Sequence, residues 1–192
     1  LRPTGVYVII RPLTYIEEEG YMKRAGIFLL VVLFAVTLTV FAQSDDVKQH
    51  PSCKYCGMDR EKFGHSRMLI DYDDGTSVGT CSIHCAAVEL ALSIDKTPKT
   101  LMVGDVLSKK LIDAEKAAWV VGGNKPGVMT SRPKWAFEKK DEAEKFIKEN
   151  GGALSSFDEA IKFAYEDMYQ DTRMIRERRA MKKKAGMEHK HK

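Results

Sequence analysis

All four cysteines of the chain lie between Cys53 and Cys85, as Cys53-x2-Cys56 and Cys81-x3-Cys85, and whatever fold forms must close around them. Two cysteines separated by two residues can bite one ion because a tight turn brings both sulfurs to one side, and Gly57 beside Cys56 permits that turn. Cys81 and Cys85 stand four apart at the expected start of a helix, where they share a face and unpaired backbone N–H groups favour thiolates. His50, Met58, Met68 and His84 add imidazole and thioether donors, a set suited to Cu(I) or Zn(II) rather than to Ca or Mg. The competing arrangement is disulfides, since four cysteines in an exported protein permit three pairings. A domain of this size needs no covalent staples, and bridges between cysteines two apart are usually redox-labile. Metal or redox handling and structural bridging both stand as readings of these residues.

Export is itself read from the N-terminal region. Met22-Lys23-Arg24 precedes an uncharged apolar run over residues 25–42, and polar Gln43, Ser44, Asp45 and Asp46 follow. This is the pattern of a secretory signal with a small-residue cleavage site, Val40-Phe41-Ala42, cut after Ala42. A retained N-terminal membrane anchor is the alternative, because roughly 20 apolar residues span a bilayer. Met22 reads as the true start, which leaves residues 1–21 as an upstream segment without function. No cysteine lies near residue 43, so a lipoprotein-type acyl anchor has no attachment point. The mature chain expected is 43–192, in an oxidising, periplasmic setting.

Formal net charge is +4, unevenly placed: residues 173–192 carry nine Lys or Arg against Glu177 and Glu188, leaving −3 on residues 1–172. The basic character belongs to the tail, and the body offers no nucleic-acid surface. Within the body, Met68, Ile70 and Tyr72 alternate in a strand over 66–72, Asp73-Asp74-Gly75 supplies a turn, and 76–80 completes a hairpin. Ser82 is expected to cap a helix over 84–94 with Ala86, Ala87, Leu90 and Ile94 on related faces. Residues 101–106, 117–121 and 133–137 are further strand candidates, and a Gly- and Pro-rich loop displays Met129. A short amphipathic helix over 141–150 stops at Gly151-Gly152, and Ser156 or Asp158 opens a last helix. Residues 43–52 read as an extended leader, 53–165 as the metal-binding domain and 166–192 as a basic tail, helical or disordered. The expected fold class is α+β: two strand-strand-helix units with a C-terminal helix.

Cys56-Gly57-Met58, the Asp74-Gly75 turn, Asp105, Asp113-Ala114 with Ala117, Gly122-Gly123, Met129, Ala136-Phe137, Ala143, Phe146 and Gly151-Gly152 followed by Phe157 form an ordered set. In that order they resemble the pattern of NosL, the accessory copper-binding proteins of nitrous oxide reductase maturation, over roughly residues 50–162. The resemblance implies Cu(I) delivery to a periplasmic copper enzyme or its maturation complex, without catalysis. It also implies a topology similar to part of the organomercurial lyase MerB, with two strand-strand-helix units. Most NosL proteins are lipoproteins, whereas this chain has no cysteine near residue 43, so no ligand role for an acylated cysteine carries over. Cys81-Ser82-Ile83-His84-Cys85, set after Cys56, is similar to the TRASH and YHS treble-clef modules, in which a hairpin and a helix start hold a metal.

The candidate ligands are therefore Cys53, Cys56, Met58, Cys81, His84, Cys85 and Met129, with Met68 and His50 as weaker members. In the tail, Met174, Met181, Met187, His189 and His191 suggest a copper-collecting arm, and its charge a contact with anionic lipid. No phosphate-binding Gly-rich loop or catalytic triad order is present, so an enzyme is not expected. The alternatives kept are a zinc-binding treble-clef-like interaction domain and a thiol-disulfide oxidoreductase.

Overall fold

Met68, Ile70 and Tyr72 are buried while Leu69 and Asp71 are only partly so, the two-residue period of a strand packed on one face. The structure, a computed structural model, describes residues 45–188. Strand β1 (Met68–Tyr72) turns through Gly75, at φ +80°, into antiparallel β2 (Ser77–Thr80), with Met68 opposite Thr80. A one-turn helix α1 (Asp45–Gln49) comes before this hairpin and helix α2 (Ile83–Leu92) after it. Strand β3 (Pro98–Gly104) then returns along the other side of β1, and β4 (Leu111–Asp113) adds to β3, giving the order β2-β1-β3-β4.

The pattern then repeats. Strands β5 (Ala118–Val121) and β6 (Lys134–Phe137) pair antiparallel, helix α3 (Lys140–Asn150) follows, and β7 (Ala153–Ser155) returns beside β5 in the order β6-β5-β7. Each expected strand-strand-helix unit is thus completed by a third strand on the far side of its first. Helix α4 (Phe157–Glu188) closes the described chain. Ser156 Oγ accepts from the Glu159 N–H while the Glu159 carboxylate accepts from the Ser156 N–H, so the capping box selects Ser156 as the start.

The second sheet is buried on both faces. Trp119, Val121 and Ala136 join the main core with β1, β3, α2 and α4, whereas Val120, Trp135 and Phe137 face Ala143 and Phe146 of α3. Each large apolar side chain so buried contributes about 1.5–3 kcal/mol. Trp119 sits 1% exposed because its indole N–H reaches the Ala114 carbonyl at 2.8 Å.

Several expectations are corrected. Part of the leader 43–52 is helical rather than extended, because α1 gives a buried arginine its acceptors: Arg60 is 0% exposed and donates to the carbonyls of Asp46, His50, Met68 and Thr80. The Asp46 carboxylate bonds Arg60 at 2.9 Å and Arg67 at 2.9 Å. Helix α2 stops at Leu92, leaving Ile94 89% exposed rather than on its inner face. Ser82 occupies the N-cap position without a side-chain capping bond. Residues 173–184 continue α4, with 176–185 exposed. The signal-sequence and upstream readings lie outside the described residues, among which no helix is long and apolar enough to cross a membrane.

Candidate metal centre

The first cysteine pair sits on a tight loop whose ends are stitched by an isolated bridge between Ser52 and Asp59. The Cys53 N–H donates to the Met58 carbonyl at 2.8 Å and the Gly57 N–H to the Cys53 carbonyl at 2.9 Å. Gly57 takes φ +72°, a conformation that other L residues rarely adopt, so both sulfurs turn to one side. A bond from the Lys54 N–H to the Gly79 carbonyl docks this loop on the end of β2. There Gly79 leaves no room for a side chain, since a Cβ would stand 2.5 Å from His50 Cβ and 2.7 Å from Arg60 Cζ.

Cys81 follows β2 directly and Cys85 lies in the first turn of α2, so hairpin and helix start deliver the second pair to the first. Cys56 Sγ is 3.4 Å from Cys81 Sγ, which is 3.8 Å from Cys85 Sγ, and all four sulfurs lie within 4.8 Å of one another. None is in a disulfide. A metal about 2.3 Å from four tetrahedral sulfurs sets S–S edges of about 3.8 Å, so the quartet closes on one ion with little rearrangement.

Ionisation is shared among the sulfurs. Hydrogen bonding from Cys56, then from Cys81 and Cys85, holds Cys53 well below the usual thiol range. The bond between Cys56 and Cys53 pushes Cys56 up, but those from Cys81 and Cys85 outweigh it and bring it to about 7. Cys81 and Cys85 are pushed up, each first by its bond to Cys53. Ionisation is thus favoured on the knuckle pair, Cys53 above all, and disfavoured on the hairpin and helix pair, so an arriving ion must displace protons from the quartet.

Met58 and Met129 pack against the quartet together with Tyr55 and Val128. Met129 adopts φ +62° in the loop between β5 and β6, so the second repeat reaches over to the knuckle of the first. His84 is not brought in. It precedes Cys85, but its Nδ1 faces Asp171 Oδ2 of α4 at 3.6 Å, buried, and it is absent from the group of ligand-capable atoms around the sulfurs. Burial lowers its basicity, against Asp171, which raises it. His50 bonds the Ser77 hydroxyl at 2.8 Å, and Met68 lies in the main core.

Two polar devices around the site left no clear mark in the sequence. Glu89, 1% exposed on α2, accepts from Lys54 and Tyr55, the residues between Cys53 and Cys56, and also from Tyr72 and Ser93. One carboxylate thereby clamps the knuckle to the helix carrying Cys85. On the opposite side, Asp171 accepts from the Ser131 N–H at 2.9 Å and hydroxyl at 3.1 Å, while Asp167 accepts from Lys134 at 2.8 Å and Arg132 at 2.9 Å. Helix α4 thus fixes the loop that presents Met129. Only the Glu89 spacing, four residues beyond Cys85, could have hinted at either.

Fold and site together define an α+β domain with an all-cysteine pocket for a soft metal ion. The family model described as NosL matches residues 44–164, and the chain belongs to the NosL family. No curated protein matches. Among solved structures, the copper chaperone NosL from Shewanella denitrificans is 28% identical, over 56% of this chain and 87% of that one, with a TM-score of 0.45.

Proposed function

We propose that this chain is an exported carrier of Cu(I), holding the ion through Cys53, Cys56, Cys81 and Cys85 and releasing it to a copper enzyme such as nitrous oxide reductase. The observation that carries this proposal is the convergence of four free sulfurs within 4.8 Å in a chain of the NosL family. Copper is here the cargo. Thiolates are soft ligands that favour Cu(I), and the quartet sets four of them around one point. Cys53, Cys81 and Cys85 are at most 2% exposed, whereas Cys56 is half-buried, which makes Cys56 the sulfur where an incoming ligand first meets the ion.

A second proposal, structural zinc, draws on the sulfur spacings of 3.4 and 3.8 Å, close to a tetrahedral four-sulfur site. Titration of the reduced chain with Cu(I) and Zn(II) against competing chelators separates the two. Exchangeable Cu(I) binding that is weakened in Cys56→Ser is the expected result. Zinc that co-purifies, and whose removal unfolds the domain, favours the structural alternative.

A further inference from the structure

Helix α4 outruns the domain it closes. Its inner face, with Ala160, Ala164, Asp167 and Asp171, is buried, but every residue over 176–185 is exposed. Residues 45–172 carry 18 Lys or Arg against 22 Asp or Glu, a net of −4, whereas 173–188 carry seven Lys or Arg against Glu177 and Glu188, a net of +5. A helix surrounded by like charge gains nothing from the domain and invites a counter-charge outside it.

The charges also line up with aromatic surface. Tyr165 is 43% and Tyr169 70% exposed. At about 100° per residue, Tyr165, Tyr169, Arg176 and Lys183 fall within about 40° of one another, flanked by Arg173 and Arg179, over about 27 Å of helix. No Asp or Glu falls within this stripe from Tyr165 to Ala185. The acidic neighbours Glu166 and Glu177 lie just outside it, 3.9 Å from Lys162 and 3.7 Å from Arg173.

The structure assigns this stripe as a docking surface for an anionic phospholipid bilayer. Tyrosines seat at the headgroup level, and long basic side chains reach anionic headgroups while their stems lie along the interface. A protein partner of fixed shape would be read by an apolar knob or a pocket, and 176–185 offers cations around the whole helix instead. The acidic body is repelled by the same surface, so contact runs through α4 and the domain stands off it. This inference is independent of which metal the cysteines hold.

A reporter confined to the stripe tests it. In Tyr169→Trp the new indole is exposed, whereas Trp119 and Trp135 are 1% and 3% exposed and shielded from lipid. The full chain with this substitution is mixed with vesicles of brominated phosphatidylcholine, with or without one-third phosphatidylglycerol. Quenching of the new indole only with phosphatidylglycerol, reversed by salt, is the expected result. Adding Arg176→Gln, Arg179→Gln and Lys183→Gln should weaken vesicle binding about 100-fold, at roughly five-fold per cation. Neutralising exposed Lys99, Lys110 and Lys145 should leave it unchanged, and circular dichroism verifies that each variant is folded. The assignment is overturned by no quenching with anionic vesicles, whether or not the chain sediments with them, or by equal losses in the two triple variants. Quenching insensitive to anionic lipid overturns it as well.

Discussion

Replacing Glu89 by Gln tests how the knuckle is held. The carboxylate is 1% exposed and accepts four side-chain donors, with Lys54 Nζ and Ser93 Oγ each at 2.8 Å, Tyr72 Oη at 3.0 Å and Tyr55 Oη as the fourth. Burial pushes the acid up, but the bonds from Lys54, Tyr55, Ser93 and Tyr72 outweigh it and bring it from 4.5 to about 2. That difference corresponds to about 3 kcal/mol. Glutamine keeps one acceptor oxygen for Lys54 and Tyr55 but puts an N–H donor where the other oxygen served Tyr72 and Ser93, and losing the charge from bonds of about 1.5–3 kcal/mol each gives a cost of the same order. Because the folded-state value is depressed, the stabilisation is complete above about pH 4.5 and is lost as pH falls through about 2. Urea unfolding of the reduced, metal-free chain should show the variant about 3 kcal/mol less stable at pH 7, with under half of that difference left at pH 3. A difference below about 1 kcal/mol at pH 7, or one unchanged down to pH 3, refutes the clamp.

Asp46→Asn strips the anion from buried Arg60 and Arg67 and should cost about 3–5 kcal/mol, read as a lowered thermal midpoint. Gly104→Ala drives a Cβ to 2.0 Å from the Gly64 carbonyl oxygen and should cost about 1–3 kcal/mol or more in denaturant titration. His84→Gln should leave Cu(I) stoichiometry intact and affinity within about three-fold, under 1 kcal/mol, because its ring faces Asp171 rather than the sulfurs. Cu(I) affinity should rise with pH, about ten-fold per unit for each proton displaced from Cys81 or Cys85.

The sequence carried whatever depends on neighbours along the chain. Alternation at Met68, Ile70 and Tyr72, the turn at Gly75, the Cys53-x2-Cys56 knuckle and the Ser156-x-x-Glu159 box each have a local signature, and each element formed near its expected place. Strands β4 and β7 are three residues long, too short for a period to register, and they exist because β3 and β5 offer open edges. Asp46, Glu89, Asp167 and Asp171 look like ordinary surface acids, and their burial is decided by partners 14 to 40 residues away. For the same reason His84 beside Cys85 reads as a ligand, while in the fold its Nδ1 faces Asp171 of α4.

X-ray absorption at the copper edge of the Cu(I)-loaded chain tests the central claim most directly. The expected spectrum has a first shell of sulfur alone, lost when Cys53 and Cys56 are replaced together by Ser. A shell dominated by nitrogen or oxygen, or one unchanged after all four cysteines are replaced, would contradict the assignment of the copper site to the cysteine quartet.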